Sequence, residues 1–129
     1  LFLKASVPGG LIDCEVSFSD SWAVTVVLAS AGYPATSSSG DVITGLETAA
    51  ESAEVVHAGT ADSEGKTVTA GGRVLNLTGI GPDPATARDL AYRAASEVKF
   101  EGRQMRTDIA ERAVRNAPHR DSPAEERNE

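Results

Sequence analysis

The sequence predicts an α+β fold in which a curved, mainly antiparallel sheet packs against one main helix and a short C-terminal helix. Three observations lead to this class. Short extended segments fill most of the chain before residue 82. Turn residues separate these segments at short intervals, as in sequential hairpins. A helical apolar period follows only from Pro84 onward. The length of 129 residues corresponds to one domain.

The N-terminal part predicts two strands after an irregular start. Residues 1–13 are expected to be irregular, because the Pro8-Gly9-Gly10 sequence would break a helix. Residues 14–20 alternate between apolar and polar side chains, which predicts a strand with one buried face. Residues 23–29 are almost continuously apolar, which predicts a central strand covered on both faces. The Gly32-Tyr33-Pro34 turn ends this strand.

The segment after this turn is polar and shows no clear helical or strand periodicity. Residues 35–41 predict a mobile polar loop, since Thr, Ser, Gly and Asp dominate them. Residues 41–45 predict a brief extended segment, and residues 46–52 fit either a helical turn or an irregular link.

The middle of the chain predicts an antiparallel meander. Residues 54–61 read as one strand, and Asp62-Ser63-Glu64-Gly65 as a turn. Lys66–Ala70 reads as a second strand and residues 73–80 as a third. Gly71-Gly72 lies between them and predicts a two-residue turn of the kind that tolerates positive φ.

The C-terminal part switches to a helical period. Asp83 is a good N-cap and Pro84 suits the first helical position, which predicts a helix over residues 84–98. A second short helix is expected over residues 108–115, and residues 117–129 are expected to form a disordered tail. The domain therefore spans residues 14–116. The apolar stripe of the main helix consists of Ala87, Leu90, Ala91, Ala94 and Val98.

Composition narrows the function classes. The formal net charge of −7 argues against a nucleic-acid partner, which would need a clustered basic face. Cys14 is the only cysteine, so the sequence predicts neither a disulfide framework nor a cysteine-based zinc site, and a cytoplasmic location is expected. No apolar run of about 18 residues exists, and the start lacks a signal-peptide pattern, so no membrane partner is expected.

Several short motifs look chemical but fail on spacing or context. Gly65-Lys66-Thr67 lies in a predicted hairpin with its upstream glycine misplaced, which excludes a P-loop. Gly79-Ile80-Gly81 lacks the third glycine of a dinucleotide fingerprint. The two histidines, His57 and His119, lack the spacing of a metal site, and no catalytic triad is recognisable. We therefore predict no catalytic and no metal-binding residue in this chain.

Three positions have both a structural and a functional interpretation. Gly32-Tyr33-Pro34 is either a simple turn or a loop tip that faces a ligand. His57 either orders the following turn or contacts a substrate or another domain. Arg73 is either a solvated strand-end arginine or an anion contact, because the two preceding glycines let a ligand approach the backbone and a guanidinium binds phosphate in bidentate fashion.

A series of sequence blocks between about residues 22 and 113 resembles a known family. In combination and order they are specific, and we identify them with the C-terminal domain of the phosphoribosylamine–glycine ligase family, within the ATP-grasp ligases. The blocks are AVTVVLASAGYP at 23–34, GDVITGL at 40–46, VHAGT at 56–60, VTAGGRVLNLTGIG at 68–81, AYRAA at 91–95, FEG at 100–102 and R-x-DI at 106–109.

The resemblance implies a fold, a reaction and partners. The fold would be the single-hybrid-motif end of ATP-grasp ligases. The reaction joins glycine to 5-phosphoribosylamine through an acyl phosphate, with ATP cleaved to ADP and phosphate. ATP and Mg²⁺ would be held by upstream ATP-grasp domains, the expected protein partners. By motif position, the candidates for cleft-facing or domain-interface residues are Tyr33, Pro34, His57, Gly72 and Arg73.

Some features depart from the family and leave alternatives open. Ala35 stands where the family usually has glycine, and the loop at residues 36–39 lacks the usual basic or aromatic residue. Residues 1–13 replace what is normally a helix. Because the chain begins at Leu1 rather than Met, we expect a piece of a longer polypeptide or a gene remnant. The alternatives are an isolated interaction module, an inactive remnant, or the equivalent domain of another ATP-grasp ligase such as a carboxylase.

Overall fold

The computed structural model describes residue 15 and residues 17–117. These residues form three helices and six strands, and the strands are arranged in two three-stranded antiparallel sheets. The predicted α+β class is confirmed. The first sheet has the strand order β1-β6-β3 and the second has the order β2-β5-β4. The strands are β1 (Trp22–Ala29), β2 (Ser39–Val42), β3 (Glu54–His57), β4 (Thr60–Ser63), β5 (Lys66–Ala70) and β6 (Arg73–Gly81), and the helices are α1 (Leu46–Ala50), α2 (Pro84–Glu97) and α3 (Glu111–Asn116).

The first sheet has β6 at its centre, so the prediction of a central strand over residues 23–29 is wrong. β1 is an edge strand that pairs along its length with β6. Val24, Val26 and Leu28 point to the core and are buried, whereas Thr25 and Val27 are exposed. The apolar run was misleading because Val27 lies on a face that no described element covers.

Helix α2 covers the inner face of the first sheet, and its predicted start is confirmed. The Asp83 carboxylate accepts a hydrogen bond from the backbone N–H of Thr86 at 2.8 Å, and Pro84 occupies the first turn. The helix packs with small side chains, of which Ala87 and Ala91 are fully buried. It lies so close to β6 that a Cβ on Gly79 would be 2.2 Å from the carbonyl oxygen of Ala87.

The predicted meander is instead one long hairpin that bends between the two sheets. Strands β3 and β4 form one arm and β5 and β6 the other, and the tight turn at Glu64-Gly65 joins them with both φ angles positive. At the bend, the Gly59 N–H donates to the Arg73 carbonyl at 2.8 Å, and the Ala70 N–H donates to the Gly59 carbonyl at 2.7 Å. Residues 54–61 are therefore not one straight strand.

Glycine is needed in this bend at Gly59, for the close approach of the two arms rather than for a turn. Neither Gly71 nor Gly72 has a positive φ, so the prediction of a two-residue turn there is wrong. A Cβ on Gly59 would lie 2.6 Å from the Arg73 carbonyl oxygen and 3.0 Å from the Gly71 Cα. The two arms can therefore approach this closely because Gly59 lacks a side chain.

The polar segment after β1 is better ordered than its composition indicated. Residues 39–42 form β2, which pairs with β5. The Asp41 N–H donates to the Thr69 hydroxyl at 3.0 Å, and this hydroxyl donates back to the Asp41 carboxylate at 3.1 Å. The prediction of a mobile loop over residues 35–41 therefore fails for its second half, because side-chain hydrogen bonds hold it to β5.

The ends of the domain differ from the sequence expectation. Phe18 is 91% exposed, and the described residues between 15 and 21 form no strand. Cys14 and Val16, which suggested a strand over residues 14–20, lie outside the described residues, as do residues 1–13 and residues 118–129 of the predicted tail. The short helix predicted over residues 108–115 is α3, which begins at Glu111 rather than at residue 108.

Candidate functional site

The outer face of the first sheet, opposite helix α2, is left open. The alternation of the strands places Val27, Val56 and Ile80 on this face, and their side chains are 37%, 43% and 55% exposed. The Thr25 and Thr78 hydroxyls form a hydrogen bond of 2.8 Å on the same face, which confirms the register. The outer face therefore carries exposed apolar side chains interspersed with polar ones, because Asn76 lies between Val27 and Val56. Its residues are Ala23, Thr25 and Val27 of β1, Asn76, Thr78 and Ile80 of β6, and Glu54 and Val56 of β3.

The Gly32-Tyr33-Pro34 turn folds back against the start of β6. The Ser30 N–H donates to the Gly72 carbonyl at 2.9 Å, and Gly32 has a φ of +80°. The Tyr33 ring lies directly on Gly72, because a Cβ there would be only 2.5 Å from the ring atom Cδ2 of Tyr33. The Tyr33–Pro34 peptide bond is cis. Gly72 thus provides the space that lets the turn pack on the sheet.

Two open cavities meet at Tyr33 and Arg73, at one end of the outer face. The first cavity has a volume of about 620 Å³ and is lined by Val27, Tyr33, Ala58, Gly59, Gly72, Arg73 and Asn76. The second cavity has a volume of about 340 Å³ and is lined by Val27, Ala29, Tyr33, Arg73, Gln104, Met105 and Arg106. Val27, Tyr33 and Arg73 line both cavities and therefore form the wall between them.

Arg73 has a free guanidinium group within the described part of the chain. Its side chain makes no hydrogen bond or ion pair there. In contrast, Arg88 donates to the Ile109 carbonyl at 2.9 Å, and Arg103 donates to the carbonyls of Ala95 and Val98 at the end of α2. A free guanidinium beside a cavity can form two parallel hydrogen bonds with an anion.

The structure brings together Tyr33, Gly72 and Arg73 but not His57 and Pro34. The His57 Nδ1 lies 2.9 Å from the Thr60 hydroxyl, so the imidazole ties the end of β3 to the start of β4. Neither His57 nor Pro34 lines the two cavities. The sequence analysis did not select Asn76, although a polar residue within an otherwise apolar strand could have indicated it.

Metal binding and membrane insertion have no support within residues 15 and 17–117. No group of three or more His, Cys, Asp or Glu residues there could hold a metal ion. No described helix has the length and apolar character that a membrane crossing requires.

Comparison with protein families identifies the domain. The family described as "Phosphoribosylglycinamide synthetase, C domain" matches residues 23–112, which is most of the chain. The chain belongs to this family. The resemblance seen in the sequence blocks is therefore confirmed.

The relatives of this C domain are longer enzymes. A phosphoribosylamine–glycine ligase of Streptomyces coelicolor is 50% identical over 117 residues, covering 87% of this chain and 28% of the relative. A trifunctional purine biosynthetic protein of Gallus gallus is 50% identical over 98 residues, covering 75% of this chain and 10% of the relative. The crystal structure of a phosphoribosylamine–glycine ligase from Thermotoga maritima matches with a TM-score of 0.61 and 44% identity, covering 67% of this chain and 21% of that one. The chain thus spans less than a third of the length of these relatives.

At the edge of the second cavity of this C domain, Arg106 is held by Asp108. The Arg106 Nε donates to Asp108 Oδ1 at 2.8 Å, and Nη2 donates to Oδ2 at 2.5 Å. The hydrogen bond from Arg106 lowers the pKa of the Asp108 carboxyl below its ordinary value of 3.8. The same pair raises the pKa of Arg106.

The Asp108→Asn variant is expected to be less stable than the unaltered C domain at neutral pH, and the difference is expected to shrink as the pH is lowered. A lowered folded-state pKa contributes stability that is fully present above pH 3.8 and is lost as the pH falls through the folded pKa. Urea unfolding of both proteins between pH 2.5 and pH 7 measures the difference. Asp89→Asn is the control, because Asp89 is exposed on α2 and its side chain has no described partner. A difference between Asp108→Asn and the unaltered domain that does not shrink as the pH falls from 7 to 2.5 would contradict the prediction.

Proposed function

We propose that this C domain is part of a phosphoribosylamine–glycine ligase, which joins glycine to 5-phosphoribosylamine with cleavage of ATP to ADP and phosphate. The observation that carries the proposal is the family match over residues 23–112. The 50% identity to the Streptomyces coelicolor ligase supports the same reaction. Because the chain corresponds to 28% of that relative, we expect it to be inactive alone.

The proposed role of the domain is to cover the substrate side of the active-site cleft, with its outer face against the upstream ATP-grasp domains. The outer face supports this role over that of an isolated module, because no described element covers it and Val27, Val56 and Ile80 are exposed there. The free Arg73 and the Tyr33 ring at one end of this face are the residues we assign to the cleft.

ATP and Mg²⁺ are assigned to the upstream domains. The described residues do not fit a magnesium site, because no group of three carboxylate or histidine side chains converges there. The role of this chain is therefore restricted to binding and shaping the cleft. The single cysteine and the purine-biosynthesis relatives support a cytoplasmic location.

A chimera provides the test of this function. The C domain replaces the matching segment of the Streptomyces coelicolor ligase, and formation of ADP is measured with glycine and 5-phosphoribosylamine present. We expect the chimera to form ADP only when glycine is present, and the isolated 129-residue chain to form none. The Streptomyces ligase without its C-terminal segment is the control that should also be inactive.

Two results would contradict the proposed function. One is ADP formation by the isolated chain, which would mean that an ATP site lies within these residues. The other is a chimera that has the circular dichroism spectrum of a folded protein but no more activity than the truncated control.

A further inference from the structure

We propose that the first cavity binds the phosphate group of the phosphopentose substrate through Arg73. This inference rests on the proposed function and adds to it the substrate group that the cavity recognises. Arg73 lines the cavity with a guanidinium that has no partner among the described residues. The other arginines close to the same end of the sheet, Arg103 and Arg106, are already engaged by carbonyls and by Asp108.

The surroundings of Arg73 are unusual because the molecule as a whole is acidic. The chain has a formal net charge of −7, yet none of the seven residues that line the first cavity is acidic. A cation that faces a cavity without a neighbouring carboxylate is available to an anionic ligand. Phosphate suits it because the planar guanidinium fork matches two phosphate oxygens.

The other residues that line the first cavity suit a sugar attached to that phosphate. The volume of about 620 Å³ lies within the usual range for small-molecule sites. The Asn76 side chain offers an amide that can donate to and accept from hydroxyl groups. Val27 provides an apolar wall beside it.

The cavity is also held in place by the fold. The carbonyl group of Arg73 accepts the Gly59 N–H at 2.8 Å, which fixes the residue at the bend of the hairpin. The Tyr33 ring packs on Gly72, directly before Arg73, and closes one side. A rigid frame of this kind reduces the ordering that binding would require.

The same features argue against the other two substrates. Glycine carries one small carboxylate and would fill little of the cavity. ATP is assigned to the upstream domains, and the cavity has no acidic residue that could hold the accompanying Mg²⁺. The phosphopentose is the remaining substrate with a phosphate group.

The test compares three variants of the chimera described above: Arg73→Ala, Arg73→Lys and Arg93→Ala. Arg93 is exposed on α2 and its side chain has no described partner, so its removal controls for the loss of one positive charge. The measurements are kcat/KM for 5-phosphoribosylamine, KM for glycine and for ATP, and inhibition by ribose 5-phosphate and by ribose. Circular dichroism melting curves establish that each variant is folded.

We expect Arg73→Ala to lower kcat/KM for 5-phosphoribosylamine about 30-fold, because charge-assisted hydrogen bonds to the phosphate are lost. Inhibition by ribose 5-phosphate should weaken by a similar factor, whereas inhibition by ribose, which has no phosphate, should not change. Arg73→Lys should recover part of the loss, because it keeps the charge without the fork. Arg93→Ala should behave like the parent chimera.

The possible failures are distinguishable. An inactive parent chimera rejects the proposed function and this inference with it. An active parent in which Arg73→Ala leaves kcat/KM for 5-phosphoribosylamine unchanged rejects the inference alone. A selective rise in KM for glycine or for ATP also rejects it, because the cavity would then bind a different anion. Equal weakening of ribose and ribose 5-phosphate inhibition rejects a phosphate contact.

Discussion

Replacing Gly79 with alanine is expected to lower the free energy of unfolding of the C domain by about 3 kcal/mol or more, since overpacking of a close contact forces the backbone to move. The added Cβ would lie 2.2 Å from the Ala87 carbonyl oxygen and 2.6 Å from the Ala91 backbone nitrogen. Both atoms belong to the main chain of α2, so no side-chain rotation relieves the overlap. The helix would have to move off the central strand of the sheet. Urea unfolding followed by far-UV circular dichroism measures the change.

Gly71→Ala is the matched control for this substitution. Gly71 also lies in the bent hairpin and has no positive φ, but its added Cβ would meet only the Gly59 Cα at an ordinary 3.4 Å. Its expected effect is a change in the free energy of unfolding of less than about 1 kcal/mol, because the contact is ordinary and alanine also restricts the unfolded chain. Equal losses for both variants would mean that close helix–sheet contact at Gly79 is not the cause.

The sequence was sufficient where structure depends on neighbouring residues. The start of α2 follows from Asp83 and Pro84, because capping involves atoms only three residues apart. Strand β6 follows from its own apolar pattern, and the turn at Glu64-Gly65 from its glycine. These signals are local, and no distant part of the chain opposes them.

Burial was harder to predict, because an apolar residue does not indicate what covers it. Val27 sits in a run that reads as covered on both faces, but in the described residues its side chain faces the open outer surface. A strand whose two faces are both covered by its own domain and a strand with one face left open can have the same composition. The edge position of β1 could therefore not be deduced from residues 23–29 alone.

The bend of the hairpin was also difficult to predict from the sequence. Gly71-Gly72 fits both a turn and a place where two backbones cross, and only the position of Gly59 distinguishes them. The contact between Tyr33 and Gly72 joins residues almost 40 positions apart, so spacing cannot reveal it. The motif comparison selected both residues, but their proximity, and the separate position of His57, required the three-dimensional structure.

Replacing Arg88 with alanine is expected to lower the free energy of unfolding by about 3 kcal/mol, since two hydrogen bonds from a charged donor are lost together. The Arg88 Nε donates to the Ile109 carbonyl at 2.9 Å, and Nη2 donates to the Thr107 carbonyl at 2.7 Å. The guanidinium also lies 4.5 Å from the centre of the Tyr92 ring. Arg88 thereby ties the segment that precedes α3 to helix α2. Urea unfolding gives the stability, and amide hydrogen exchange at Ile109 reports the attachment of this segment, because its N–H donates to the Tyr92 hydroxyl at 3.1 Å.

Arg88→Lys separates the geometry of these bonds from the charge. Lysine keeps the charge and much of the stem but cannot reach two carbonyls with a rigid fork, so we expect it to recover less than half of the loss. Arg93→Ala, on the exposed side of the same helix, should change stability by no more than about 0.5 kcal/mol. Full recovery by lysine would show that charge alone, through Glu111 at 3.8 Å, is what matters. Unchanged exchange at Ile109 in the alanine variant would show that the segment is attached through other contacts, such as the Tyr92 hydroxyl.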